Sequence, residues 1–199
     1  IHGLLDLSVQ SNKKTLNIEK IDTLRSLYIV SYKSKTKNLQ TLFSSRNLQQ
    51  LIMVMGNQKS LDGIEKSEKL QILYLYYARS LQDISALEKV KKTLKVLCLN
   101  HCPKIEDYSV LEKMENLQTL MIYGNHKISD IQFISKIKSL KRFRFSVNIL
   151  DGDLSPCLKL EEATSMTNRK HYNLKDEELP KNYDCPFGNE GIEEWMLYW

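Results

Sequence analysis

Leu48, Leu70, Leu94, Leu117 and Leu140 open successive stretches of the chain, with steps of 22, 24, 23 and 23 residues. Each is followed three residues on by a second apolar residue and two further on by a third. The clearest copy runs Leu117, Leu120, Ile122, Asn125, Ile128, Ile131, Ile134. A repeat of this length cannot bury its apolar residues alone. It must stack on copies of itself, and one short strand per unit is the economical way to do so. The ladder therefore restricts the chain to a solenoid and directs attention from catalysis to surface recognition.

Aligning the units on the second ladder position places strand cores at Leu5–Leu7, Leu27–Ile29, Leu51–Met53, Leu73–Leu75, Leu97–Leu99, Leu120–Ile122 and Phe143–Phe145. Seven units are readable. The first is degenerate, with Leu16 and Ile18 as its return apolars, and the second is irregular around Lys33–Asn38. Residues two apart on a strand share a face, so each apolar pair points inward and the residue between points outward. A parallel sheet of seven such strands spans roughly 30 Å. Return segments such as Ile84–Leu87 and Ile131–Ile134 carry apolars three apart, which suits short helical or 3₁₀ turns on the opposite side. Cys102, Asn125 and Asn148 follow the strands at a position where a buried side chain can bond neighbouring turns.

The stretch Leu117–Asn125 followed by Ile128-Ser-Asp-Ile131 resembles the short bacterial internalin-type leucine-rich repeat. Leu97–Cys102 with Ile105-Glu-Asp107 resembles the cysteine-containing subclass of the same family. Gly56 and Ala78 stand where Asn or Cys is usual, and Tyr32 does so in the second unit. The expected fold class is α/β, a curved leucine-rich-repeat solenoid over residues 1–150. Residues 151–199 are expected to form an acidic C-terminal cap over the last open edge of the core. That tail has a net charge of −6 against +11 for the rest, an asymmetry that suggests the tail lies along the basic body. It ends in an aromatic-rich segment, Gly191–Trp199.

The alternation also yields the open face. Its central row reads Tyr28, Ile52, Tyr74, Cys98, Met121, Arg144, and the next reads Val30, Val54, Tyr76, Asn100, Tyr123, Ser146. This is an aromatic and apolar stripe ending in arginines, the residue types that dominate interface hot spots. Tyr28, Ile52, Tyr74, Tyr76, Met121, Tyr123, Arg142 and Arg144 are the expected partner contacts, the arginines pairing with carboxylates of the partner. Two plainer accounts stand beside this one: such residues simply suit strands, or the chain's own tail covers them.

Other chemistry is weakly signalled. His2, His101, His126 and His171 sit in no metalloprotease or triad pattern. Cys98, His101 and Cys102 are close in sequence, but alternation sends the two thiols to opposite sides and no second ligand pair follows. No catalytic residue, cofactor or metal is expected. Cys157 and Cys185 both lie in the tail, and a bridge between them would require an oxidising compartment. Most lysines, among them Lys89, Lys91, Lys92, Lys104, Lys127, Lys136 and Lys138, fall in turns or on the convex side, away from the aromatics. Nucleic acid is therefore not the expected ligand and stands as an alternative through the convex side. No apolar run approaches the ~18 residues of a membrane span.

The resemblance implies a non-enzymatic protein-binding module, a monomer on its own. Compact bacterial relatives include adhesins, secreted host-directed effectors and immunity proteins that neutralise a toxin. A small chain without a visible anchor fits the last better than an adhesin, and its expected partner is then a toxin with an acidic or apolar contact surface. A substrate-recognition arm of a larger enzyme is a further alternative. Localisation is expected to be cytoplasmic, or secreted given that the chain opens on Ile1.

Overall fold

The computed structural model describes residues 6–10, 23–40, 42 and 46–182. Ten strands occur among them: β1 (Asp6–Gln10), β2 (Ser26–Val30), β3 (Gln50–Val54), β4 (Ile72–Tyr76), β5 (Val96–Asn100), β6 (Thr119–Tyr123), β7 (Lys127–Ile128), β8 (Arg142–Phe145), β9 (Asn148–Ile149) and β10 (Glu162–Ser165). Eight form one sheet in the order β1-β2-β3-β4-β5-β6-β8-β10, and β7 pairs with β9 in a small second sheet. Every neighbouring pair in the large sheet is parallel and in register, Leu27 opposite Leu51, Leu73 opposite Leu97, Leu120 opposite Phe143. The repeat length dictates this order, since each unit brings its strand back beside the previous one.

One face of the sheet is sealed. Leu27, Ile29, Leu51, Met53, Leu73, Leu75, Leu97, Leu99, Leu120, Ile122, Phe143 and Phe145 are almost wholly inaccessible. Full burial of such a side chain contributes about 1.5–3 kcal/mol, so these rows dominate the favourable side of folding. Behind them run 3₁₀ turns at Ile64–Lys66, Ser85–Val90, Ser109–Lys113, Gln132–Lys136 and Ser155–Lys159. Four begin the same way: Asp83, Asp107, Asp130 and Asp153 each accept the backbone N–H two residues on, at 2.8 to 2.9 Å. The carboxylate satisfies a donor that the short turn leaves open.

Two expectations need correction. The ladder does not end at residue 150: Ser155–Lys159 supplies another convex turn and β10 an eighth strand. Its inward residues are the small Ala163 and Ser165 rather than a leucine pair, and Tyr172, Leu174 and Leu179 add to the core at this end. Asn125 is exposed instead of buried. It follows Gly124, whose φ of 134° departs from the 54–57° of the equivalent residues in the four preceding units. Cys102 does turn inward, its Sγ 3.8 Å from the Leu75 carbonyl. Leu5, Leu16, Ile18, Cys185 and the segment Gly191–Trp199 lie outside the described residues. Cys157 is a buried free thiol.

Candidate functional site

The concave face is built by the residues that alternate with the core leucines. The registers place Tyr28, Ile52, Tyr74, Cys98, Met121 and Arg144 side by side, and Val30, Val54, Tyr76, Asn100 and Tyr123 in the adjacent row. Tyr28, Ile52, Tyr74, Tyr76 and Tyr123 are half-buried. The rings of Tyr74 and Tyr76 meet edge to face, 6.2 Å between centroids.

Cys98 and Met121 differ from the expected picture: each is 2% exposed. They stand on the open side by backbone alternation, yet are sealed from solvent. Met121 is therefore a floor residue and offers little surface of its own. Burial, and then the nearby Cys98, push the Tyr74 phenol up to about 12. Tyr76 and Tyr123 are raised further, again first by burial. All three remain neutral at pH 7, so the trough presents uncharged phenols over an apolar base. Such surfaces give large contact area at low entropic cost.

Arg142 and Arg144 also depart from expectation. Arg144 Nε donates to Glu162 Oε1 at 2.8 Å, and Arg142 Nε lies 3.6 Å from Oε2. Their carboxylate is supplied by this chain. Glu162 comes from β10, the strand that the ladder does not announce, so the pairing was invisible in the sequence. The acidic tail thus does meet the basic body, here through a residue placed opposite Arg142 in the sheet. With two guanidinium groups on one carboxylate, the end of the trough keeps an excess positive charge.

The convex side is patterned differently. Lys113 pairs with Glu88, Lys136 with Glu112, Lys91 with Glu115 and Lys141 with Glu161, each at 2.9 Å. Each pair joins one unit to the next, so many convex lysines are already neutralised, which weakens the nucleic-acid alternative on that side. Among the described residues no three His, Cys, Asp or Glu side chains converge on a metal-sized site, and no helix is long and apolar enough to cross a membrane.

Comparison with known proteins agrees with this architecture. Residues 92–136 match the family model described as Leucine Rich repeats (2 copies). Among solved structures, internalin C2 from Listeria monocytogenes superposes with a TM-score of 0.62 at 23% identity, over 74% of this chain and 64% of that one. Internalin F from the same organism gives 0.53 at 18% identity, over 83% of this chain and 62% of that one. This chain thus spans less than two thirds of either neighbour. No curated protein matches it. The repeat match and the two superpositions support the same conclusion, that the chain has the leucine-rich-repeat solenoid fold seen in the internalins.

Proposed function

We propose that this chain is a non-enzymatic recognition module that binds a partner protein in its concave trough. The observation that supports the reading best is the tyrosine-lined surface itself. Tyr28, Ile52, Tyr74, Tyr76 and Tyr123 sit in continuous register on one face, over a base sealed by Cys98 and Met121. A contiguous aromatic patch of this kind suits a protein surface with apolar anchors. In its finer form the reading makes the partner a toxin that the chain neutralises in the cytoplasm; that form rests on family analogy.

The test compares capture of partners from source lysate by the wild type and by Tyr74→Glu with Tyr123→Glu. Two carboxylates placed in the trough would be desolvated on binding, so the specific partner should be lost while the circular dichroism spectrum is unchanged. Equal capture by both proteins would reject the assignment.

A further inference from the structure

The loops that leave the C-terminal ends of β2 to β6 form a second surface. They are knit together laterally. The backbone N–H groups of Ser31, Met55, Tyr77 and His101 donate to the carbonyls of Val54, Tyr76, Asn100 and Tyr123, the last strand residues of the next unit, at 2.7 to 2.8 Å. Lys59 N–H reaches the Lys37 carbonyl at 2.7 Å, and Gln82 N–H reaches that of Lys59 at 2.9 Å. The five loops therefore run along one edge of the sheet, beside the row that holds Tyr76 and Tyr123.

Their charge is one-sided. Residues 31–40, 55–61, 77–82, 101–105 and 124–129 contain Lys33, Lys35, Lys37, Lys59, Arg79, Lys104 and Lys127, and no Asp or Glu. All seven cations are exposed, and none is in an ion pair among the described residues. On the convex side, by contrast, Lys91, Lys113, Lys136 and Lys141 pair with glutamates from unit to unit, although Lys89, Lys92 and Lys138 form no salt bridge among the described residues. On this edge the acids appear where the loops end, at Asp62, Asp83, Glu106, Asp107 and Asp130, and Asp83, Asp107 and Asp130 open the 3₁₀ turns.

The same edge displays bulky side chains at a conformational cost. Met55, Tyr77 and His101 all have left-handed backbone, with φ of 57°, 54° and 54°. Glycine or asparagine would fit such positions more easily. Met55 is nevertheless 56% exposed and Tyr77 39%. Strained, outward-pointing apolar residues set among unpaired cations are a mark of a contact surface.

We infer that this loop edge is an electrostatic docking strip for an acidic segment of a partner protein, contiguous with the trough. The inference takes the partner to be a protein, as proposed above. A nucleic acid would supply anionic charge too, but it needs free aromatic faces for its bases. The exposed ring here, Tyr77, is already engaged: His101 stacks on it at 4.7 Å with a 22° tilt, and the Arg79 guanidinium lies over it at 6.0 Å. Acidic carboxylates need no such face. They meet Lys33, Lys59, Arg79, Lys104 and Lys127 unit by unit, with Met55 as an apolar neighbour.

The test uses the full chain and two fluorescent probes of matched charge, a poly-L-glutamate peptide and an oligouridylate, with binding read as anisotropy. Lys59→Glu with Arg79→Glu and Lys104→Glu should weaken poly-L-glutamate binding by about tenfold or more and flatten its salt dependence. The triple variant Lys89→Glu, Lys92→Glu and Lys138→Glu changes net charge equally on the convex side and should bind as the wild type does. Tyr74→Glu with Tyr123→Glu should also keep poly-L-glutamate binding, so failure of the trough assignment and failure of this one are read separately. Equal losses in both triple variants, or no loss in either, would overturn the inference. So would an oligouridylate that binds more tightly than poly-L-glutamate and is lost with the loop variant.

Discussion

Arg144 and Glu162 lock the last two strands of the sheet together: Arg144 Nε donates to Oε1 at 2.8 Å, and Nη2 is 2.7 Å from the same oxygen. The Glu162 side chain is only 6% exposed, and Arg142 stands 3.6 Å away on the other side. Two guanidinium charges thus share one carboxylate in a place with little water. Glu162→Gln is expected to lower the unfolding free energy by about 2 kcal/mol, less than a fully buried pair would lose because Arg144 keeps contact with solvent. Urea unfolding measures it. A loss below about 0.5 kcal/mol would mean that solvent substitutes for the carboxylate.

Alkaline pH should loosen the solenoid through its buried thiols. Burial pushes Cys102 and Cys157 from 9.0 up to about 12, and the backbone contacts of Cys102 with Ala78 and Asn100 only partly offset this. Cys98 is raised further, by burial and then by Cys102. In the folded chain these groups keep their protons where the unfolded chain has lost them. Their contribution is therefore intact below pH 9 and falls as pH climbs from 9 towards 12. The slope is about 1.4 kcal/mol per pH unit for each thiol. The urea midpoint should drop clearly between pH 8 and pH 10, at values chosen to bracket the ordinary thiol range of about 8.5–9. In Cys157→Ala the drop should be shallower by one thiol's share. An unchanged slope in that variant would show that its thiol is solvated.

The repeat was legible because burial has a period. Leu27, Leu51, Leu73, Leu97 and Leu120 must share one interior, and their spacing alone determined the strand registers. The open-face rows followed from the same alternation. What alternation could not show is how much of an outward residue remains accessible. Met121 and Cys98 stand on the open face yet are sealed, and that depends on the side chains of the strands on either side. β10 was hidden for a related reason. Its inward residues, Ala163 and Ser165, are buried but small, and carry little hydrophobic signal. With β10 unseen, Glu162 had no place opposite Arg142, and the arginines looked free for a partner.

The left-handed row offers a stability test independent of any ligand. Met55 has φ 57° and is 56% exposed, and its backbone N–H bonds the Tyr76 carbonyl at 2.8 Å. That bond survives any substitution except proline. Met55→Gly should raise stability by about 0.5–1 kcal/mol, the relief of left-handed strain less the extra entropy of an unfolded glycine. Met55→Val should lower it by about 1 kcal/mol, because a β-branched side chain crowds the left-handed backbone. Thermal unfolding of the two variants gives opposite shifts on this account. If both shift the same way, side-chain contacts rather than the backbone set the stability here.

The return of the chain at 171–173 should be the weak point of the C-terminal end. Tyr172 Oη donates to the Val147 carbonyl and accepts from Ile149 N–H, both at 3.1 Å, and His171 Nε2 lies 2.9 Å from the Ile149 carbonyl. Gly152 makes this approach possible. It has φ 69°, and a Cβ there would sit 2.3 Å from the His171 carbonyl oxygen, a contact with backbone that no rotamer can relieve. Gly152→Ala must displace the return and break its bonds, at an expected cost of about 2–4 kcal/mol. Tyr172→Phe keeps the ring beside Phe145, 6.4 Å between centroids, and removes only the hydroxyl. It should cost about 1–2 kcal/mol, mainly by leaving Ile149 N–H without its acceptor. Hydrogen exchange at Ile149 should accelerate in both variants while Leu97 and Leu99, in the middle of the sheet, keep their protection. Uniform acceleration across the sheet would instead mean that the C-terminal return and the central repeats unfold as one unit.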